Sequence, residues 1–93
     1  MENVFIIPDN FAVEEASAYR ETLNNLIDKG QYNFVLDFSK CTFIDSTGLG
    51  VIVSAYKRCK EKNGTINLRS INNANVLKVF KLTRLDKVFK IQP

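Results

Sequence analysis

Three short runs rich in β-branched and aromatic residues, each followed by a stretch with helical spacing, restrict this chain to a narrow set of folds. Val4-Phe5-Ile6-Ile7 reads as a strand stopped by the turn Pro8-Asp9-Asn10. From Val13 to Lys29 the apolar residues Val13, Ala16, Tyr19, Leu23, Leu26 and Ile27 recur at three and four, which predicts an amphipathic helix ended by Gly30. Asn33-Phe34-Val35-Leu36-Asp37-Phe38 is almost continuously apolar, as expected of a central strand covered on both faces. After the Ser39-Lys40 turn, Cys41-Thr42-Phe43-Ile44 leads into Asp45-Ser46-Thr47-Gly48, where polar capping residues open a second helix. Its apolar face is expected on Leu49, Ile52, Val53, Tyr56 and Cys59, and Lys60, Lys62 and Gly64 close it.

Thr65-Ile66-Asn67-Leu68-Arg69 alternates as a third strand would. Asn72 or Asn73 then caps a helix carrying Val76, Leu77, Val79, Phe80 and Leu82, and Leu85, Val88, Phe89 and Ile91 pack the end of the chain. The order β-α-β-α-β-α requires crossover connections. It predicts an α/β fold with a mostly parallel or mixed sheet of about four strands and helices packed against it. Ninety-three residues leave room for one domain, residues 1–93.

Composition narrows the function. The longest nearly uncharged apolar stretch, Leu49 to Tyr56, is far shorter than the roughly 20 residues of a membrane helix, and Met1-Glu2-Asn3-Val4 lacks the basic start of a signal peptide. A cytoplasmic protein without membrane insertion is expected. There is no histidine, which excludes Ser-His-Asp and Cys-His enzymes and removes the commonest metal ligand. Cys41 and Cys59 have no CxxC spacing and read as reduced, buried small hydrophobes. Residues 1–56 carry three bases and eight acids, and residues 57–93 carry ten bases and two acids. Because those bases alternate with core apolar residues, solvated lysine faces are the favoured reading over a nucleic-acid surface; no helix-turn-helix or aromatic stacking platform accompanies them.

The segment Phe43-Ile44-Asp45-Ser46-Thr47-Gly48-Leu49-Gly50 concentrates the chemistry. A helix start leaves several N–H groups unpaired and carries partial positive charge, so a side-chain oxygen or a phosphate is well placed there. Ser46 is positioned to cap, and Gly48 and Gly50 remove bulk so that another backbone or a kinase active site can approach. The same pattern is also what an ordinary helix cap looks like. It is not a nucleotide loop, since no Gly-Lys-Ser/Thr occurs, and it is not a nucleophile elbow, since nothing can activate the serine. No cofactor is implied.

Val35-Leu36-Asp37-Phe38-Ser39 followed by Phe43-Ile44-Asp45-Ser46-Thr47-Gly48-Leu49-Gly50-Val51-Ile52 closely resembles the STAS family, and within it the bacterial anti-sigma factor antagonists. Asn63-Gly64-Thr65-Ile66-Asn67-Leu68 and Val79-Phe80-Lys81-Leu82-Thr83-Arg84-Leu85-Asp86-Lys87-Val88-Phe89 extend the resemblance over roughly residues 33 to 91. The resemblance implies a binding protein rather than an enzyme. The unmodified form engages an anti-sigma factor that is also its serine kinase, phosphorylation of Ser46 weakens the complex, and a serine phosphatase restores it. Thr47 is the fallback acceptor. The alternative is a STAS scaffold or accessory subunit of a sensory complex or membrane transporter whose serine is not used.

On this reading Pro8, Asp9, Asn10, Asp45, Ser46, Thr47, Gly48 and the exposed helix residues Val51 and Arg58 form one partner-binding surface. The chain departs from the family pattern twice. It lacks the family's usual strand before Val4-Ile7, and Arg84 stands where glycine is usual. The first departure predicts an edge at Val4-Ile7 open to weak homodimerisation, unless Val88-Phe89-Lys90-Ile91 or a loop covers it.

Overall fold

A computed structural model describes residues 3–93; Met1 and Glu2, part of the stretch weighed above as a signal peptide, lie outside the described residues. The elements run β1 (Asn3–Ile6), β2 (Asn10–Phe11), α1 (Val13–Asp28), β3 (Asn33–Asp37), β4 (Phe43–Ile44), α2 (Ser46–Glu61), β5 (Thr65–Arg69), α3 (Ala74–Leu82), a 3-10 turn (Leu85–Lys87) and β6 (Lys90–Gln92). The strand order is β1-β3-β5-β6, all parallel, and β2 pairs with β4 in a separate two-stranded parallel ribbon. The expected α/β architecture with a four-stranded sheet is therefore present, in its fully parallel form.

This order explains the layering. Each strand is added on the same side of the one before it, and right-handed crossovers then carry all the connecting helices over one face of the sheet. On that face Phe34, Leu36, Ile66 and Leu68 are buried in the core, with Phe5 and Ile91 packed against it. Ala16, Leu23 and Ile27 of α1 and Ile52, Ala55 and Cys59 of α2 meet them from above. Phe38 and Phe80 stack edge-to-face at 5.6 Å and hold α3 to the same core. Burying such aromatic and branched side chains is worth roughly 1.5–3 kcal/mol each.

The opposite face is not covered by a second helix layer. Val4 and Ile6 are each 50% exposed there, Lys90 is exposed, and Asn67 and Arg69 are half-buried. Only Val35, between flanking strands, is buried. The expectation that β3 is covered on both faces thus needs correction: its apolar run reflects a central position, screened by neighbouring strands. Arg69 bridges Asp37 across this face at 3.0 Å.

The C-terminal segment lies beside β5, at the edge opposite β1, so it does not shield β1. Cys41 and Cys59 are free thiols buried in the core, and that burial pushes both thiols' pKa upward, as befits inert packing groups. Lys57, Lys60, Lys62, Lys78, Lys81, Lys87 and Lys90 are exposed, in line with solvated faces. Among the described residues no helix is long and apolar enough to cross a membrane.

Candidate functional site

The β2–β4 ribbon builds the site. Asn10 pairs with Phe43 and Phe11 with Ile44, and the next residue of each strand, Ala12 and Asp45, is the N-cap of a helix. Two strand-to-helix transitions therefore run side by side. The Pro8-Asp9-Asn10 turn is fastened to this ribbon through Asp9. Its carbonyl accepts from the Thr42 N–H at 2.9 Å and the Phe43 N–H at 3.2 Å, and its carboxylate accepts from the Thr42 hydroxyl.

Asp45 is the residue that caps α2. It is extended, its carboxylate accepts from the Gly48 N–H at 3.0 Å, and its carbonyl accepts from the Leu49 N–H at 3.0 Å. Ser46, expected as a possible cap, is instead the first helical residue. It is exposed, and among the described residues its hydroxyl has no protein partner within hydrogen-bond reach. Thr47 is half-buried and Gly48 is buried. A side chain at Gly48 would run into the Phe11 carbonyl oxygen and the side chains of Ile44 and Phe11, so this glycine serves a close approach within the chain itself. Gly50 is exposed with open space around it.

Eight of the nine residues expected on one surface fall into two groups. Pro8, Asp9, Asn10, Asp45, Ser46, Thr47 and Gly48 all lie on or beside the β2–β4 ribbon, the first three at its start against Thr42 and Phe43 and the other four beyond its far end. Arg58 does not. It lies twelve residues along α2, roughly 18 Å from Ser46, where it bridges Asp28 at 2.6 Å and donates to Asn24 at 2.8 Å on α1. The ninth, Val51, is 2% exposed and also has to be withdrawn. The buried stripe of α2 is Gly48, Val51, Ile52, Ala55 and Cys59, turned by about one residue from the bulkier stripe the periodicity suggests. Small Gly48 and Ala55 allow the close packing, and weighing residues by size overlooks them.

Phe43 on β4 and Val13, the first residue of α1, are exposed on the two side-by-side strand-to-helix transitions and were not expected in the site. Phe43 is 53% exposed and Val13 is 62% exposed. Phe43, Thr42 and Ile44 also line a groove of about 280 Å³ against Asn75, Val76 and Val79 of α3. The available signal was strand alternation: with Ile44 buried, its neighbour Phe43 has to face outward.

Comparison with known proteins identifies the family and the fold. A profile of the STAS domain family matches residues 4–93. The chain is 29% identical over 79 residues to the anti-sigma-B factor antagonist of Bacillus subtilis, covering 85% of this chain and 71% of that protein. The crystal structure of Thermotoga maritima TM1081, described as a candidate anti-sigma factor antagonist, superposes with a TM-score of 0.86 at 32% identity, over 97% of this chain and 79% of that one. SpoIIAA of Bacillus, solved in its phosphorylated form, shares the fold with a TM-score of 0.76 at 18% identity, over 95% of this chain and 79% of that one. The chain belongs to the STAS domain family, among relatives named as anti-sigma factor antagonists.

Proposed function

We propose that this protein is an anti-sigma factor antagonist that binds an anti-sigma factor with serine-kinase activity and is released when that kinase phosphorylates Ser46. The observation that carries the reading is the state of the serine: exposed, first in its helix, and with a free hydroxyl because Asp45 makes the cap. The kinship with anti-sigma factor antagonists supports the partner class. Thr47 is the weaker acceptor, being half-buried. The protein acts by binding and not by catalysis, and a serine phosphatase resets it.

Phosphorylation adds roughly −1.5 to −2 charges beside the Asp45 carboxylate. The start of α2 tolerates that charge, so the fold survives. A partner seated on the same surface meets like-charge repulsion and has to desolvate the new dianion, so the complex weakens. The test is incubation with a panel of bacterial anti-sigma factor kinases and ATP, followed by intact mass and peptide mapping. One phosphate on Ser46, absent from Ser46→Ala, is the expected result. An unmodified chain with every kinase, or phosphate on Thr47 with Ser46 untouched, contradicts the assignment.

A further inference from the structure

We infer that the outer face of α3 and the turns after it form a docking surface for an anionic lipid membrane, on which the protein lies without inserting a helix. The observation behind it is an exposed leucine set among cations. On α3 the buried Val76 and Phe80 face the core, and at about 100° per residue Lys78, Lys81 and Leu82 fall on the opposite side. Leu82 is 73% exposed, the highest value of any large apolar side chain among the described residues. Past the helix, the Arg84 N–H donates to the Lys81 carbonyl and the Lys87 N–H to the Arg84 carbonyl, both at 3.1 Å. Turns of this kind bring residues three apart within about 7 Å, so Lys81, Arg84 and Lys87 follow one another closely. Val88, next to Lys87, is 47% exposed. The ion pairs among the described residues join Arg58 to Asp28 and Arg69 to Asp37, so none of these cations is used in one.

The topology turns the order of charge along the chain into an order in space. Strands are added on one side only, so α1 crosses at the β1 end of the sheet and α3 at the β6 end. Residues 13–29 carry four acids and two bases, whereas residues 74–90 carry one acid and five bases. The two outer strands stand three spacings apart, about 14 Å, beyond the screening length of about 8 Å at physiological salt. An anionic surface therefore attracts the α3 end while the acidic α1 end is screened from it. Arg84 adds a second argument: it holds a left-handed conformation that glycine adopts freely, so a cation stands where the backbone disfavours any side chain. The two chemistries together select the occupant. A nucleic acid would use the cations but not Leu82 and Val88, and the segment's aromatic rings, Phe80 and Phe89, are buried and cannot stack on bases. A bilayer of anionic lipids takes both, with the cations at the headgroups and the apolar side chains at the acyl boundary.

Co-sedimentation of the full chain with extruded vesicles tests this, one set made of phosphatidylglycerol and phosphatidylethanolamine and the other of phosphatidylcholine alone. Partitioning onto the anionic set at least about tenfold above the neutral set, falling as salt rises, is expected. No excess on the anionic set overturns the inference. Arg84→Gly should weaken adsorption about fivefold, the effect of one cation at such a surface, even though the variant is the more stable protein; its loss of binding is then not unfolding. Arg84→Lys should restore adsorption. Leu82→Ala leaves the charge unchanged, alters only an exposed position, and should weaken adsorption about threefold or more. Unchanged adsorption of either Arg84→Gly or Leu82→Ala contradicts the assignment. So does complete displacement from the vesicles by duplex DNA at equal phosphate concentration, which would mark a general polyanion surface.

Discussion

At Gly48 a single hydrogen atom decides whether the serine is presented. The Phe11 carbonyl that a Cβ would strike belongs to backbone already paired with β4, so it cannot swing aside as a flexible side chain could. Gly48→Ala should therefore cost about 1–3 kcal/mol through overpacking, read as a lower urea midpoint, and should slow phosphorylation of Ser46 because the start of α2 is displaced. Arg84 poses the opposite case. It adopts a left-handed conformation with φ 62° and ψ 17° at the position where the family usually has glycine. Relief of about 1–2 kcal/mol of backbone strain, less about 0.5–1 kcal/mol for the greater freedom of glycine when unfolded, makes Arg84→Gly stabilising by about 0.5–1 kcal/mol. A rise of a few degrees in Tm checks it. Asp37 adds a pH signature. The Ser39 N–H, donating at 2.8 Å, and then Arg69 hold its carboxyl below the usual carboxylate range. A depressed folded pKa gives stability that is present above the ordinary value near 3.9 and is lost as pH falls through the lowered one. Because Arg69 is partly exposed, Arg69→Met should cost only about 0.5–1 kcal/mol at neutral pH, and urea melts of the two proteins should converge in acid.

Helix α2 and the β2–β4 ribbon form the unit that presents the site, and Asp45 is the joint between them. Asp45→Ala removes the acceptor of the Gly48 N–H and should lower stability by about 1 kcal/mol, with the loss of helix-start protection visible in hydrogen exchange. The long, periodic elements were legible from the residues alone. Helix α1 ends at Asp28 before the positive-φ Gly30, and Asn73 caps α3 through the Asn75 and Val76 N–H groups, as their sequence signals indicate. The short elements were not legible. Asn10–Phe11 has only two residues and sits inside a turn signal, so its pairing with Phe43–Ile44 depends on contacts 33 residues apart. Lys90–Gln92 carries a single strongly apolar residue, and the preceding Val88 and Phe89 resemble a helix tail; only the edge of β5 makes it a strand. Within the site, Asp45 to Gly48 could be located because a helix start has a local signature. The outward turn of Phe43 follows from strand alternation once Ile44 is buried, whereas the inward turn of Val51 depends on tertiary packing that local periodicity does not encode.

Viewed whole, the molecule separates its surfaces. The uncovered sheet face carries Val4 and Ile6, while Ser46 is exposed where the β2–β4 ribbon gives way to α2, and Asp9 and Phe43 are exposed at the start of that ribbon. Chemistry at the serine can thus change one surface without unfolding the chain. The basic charge of residues 57–93 lies mainly on exposed lysines of α2 and α3 and near the C-terminus, and the proposed switch at Ser46 does not require it. Calorimetric titration of the unmodified and the Ser46-phosphorylated chain against the anti-sigma factor that phosphorylates it tests the account most directly. Binding of the unmodified form at least about tenfold tighter, or about 1.4 kcal/mol, with Ser46→Ala matching it and Ser46→Asp resembling the phosphorylated form, is the predicted result. Equal or tighter binding of the phosphorylated chain would contradict it.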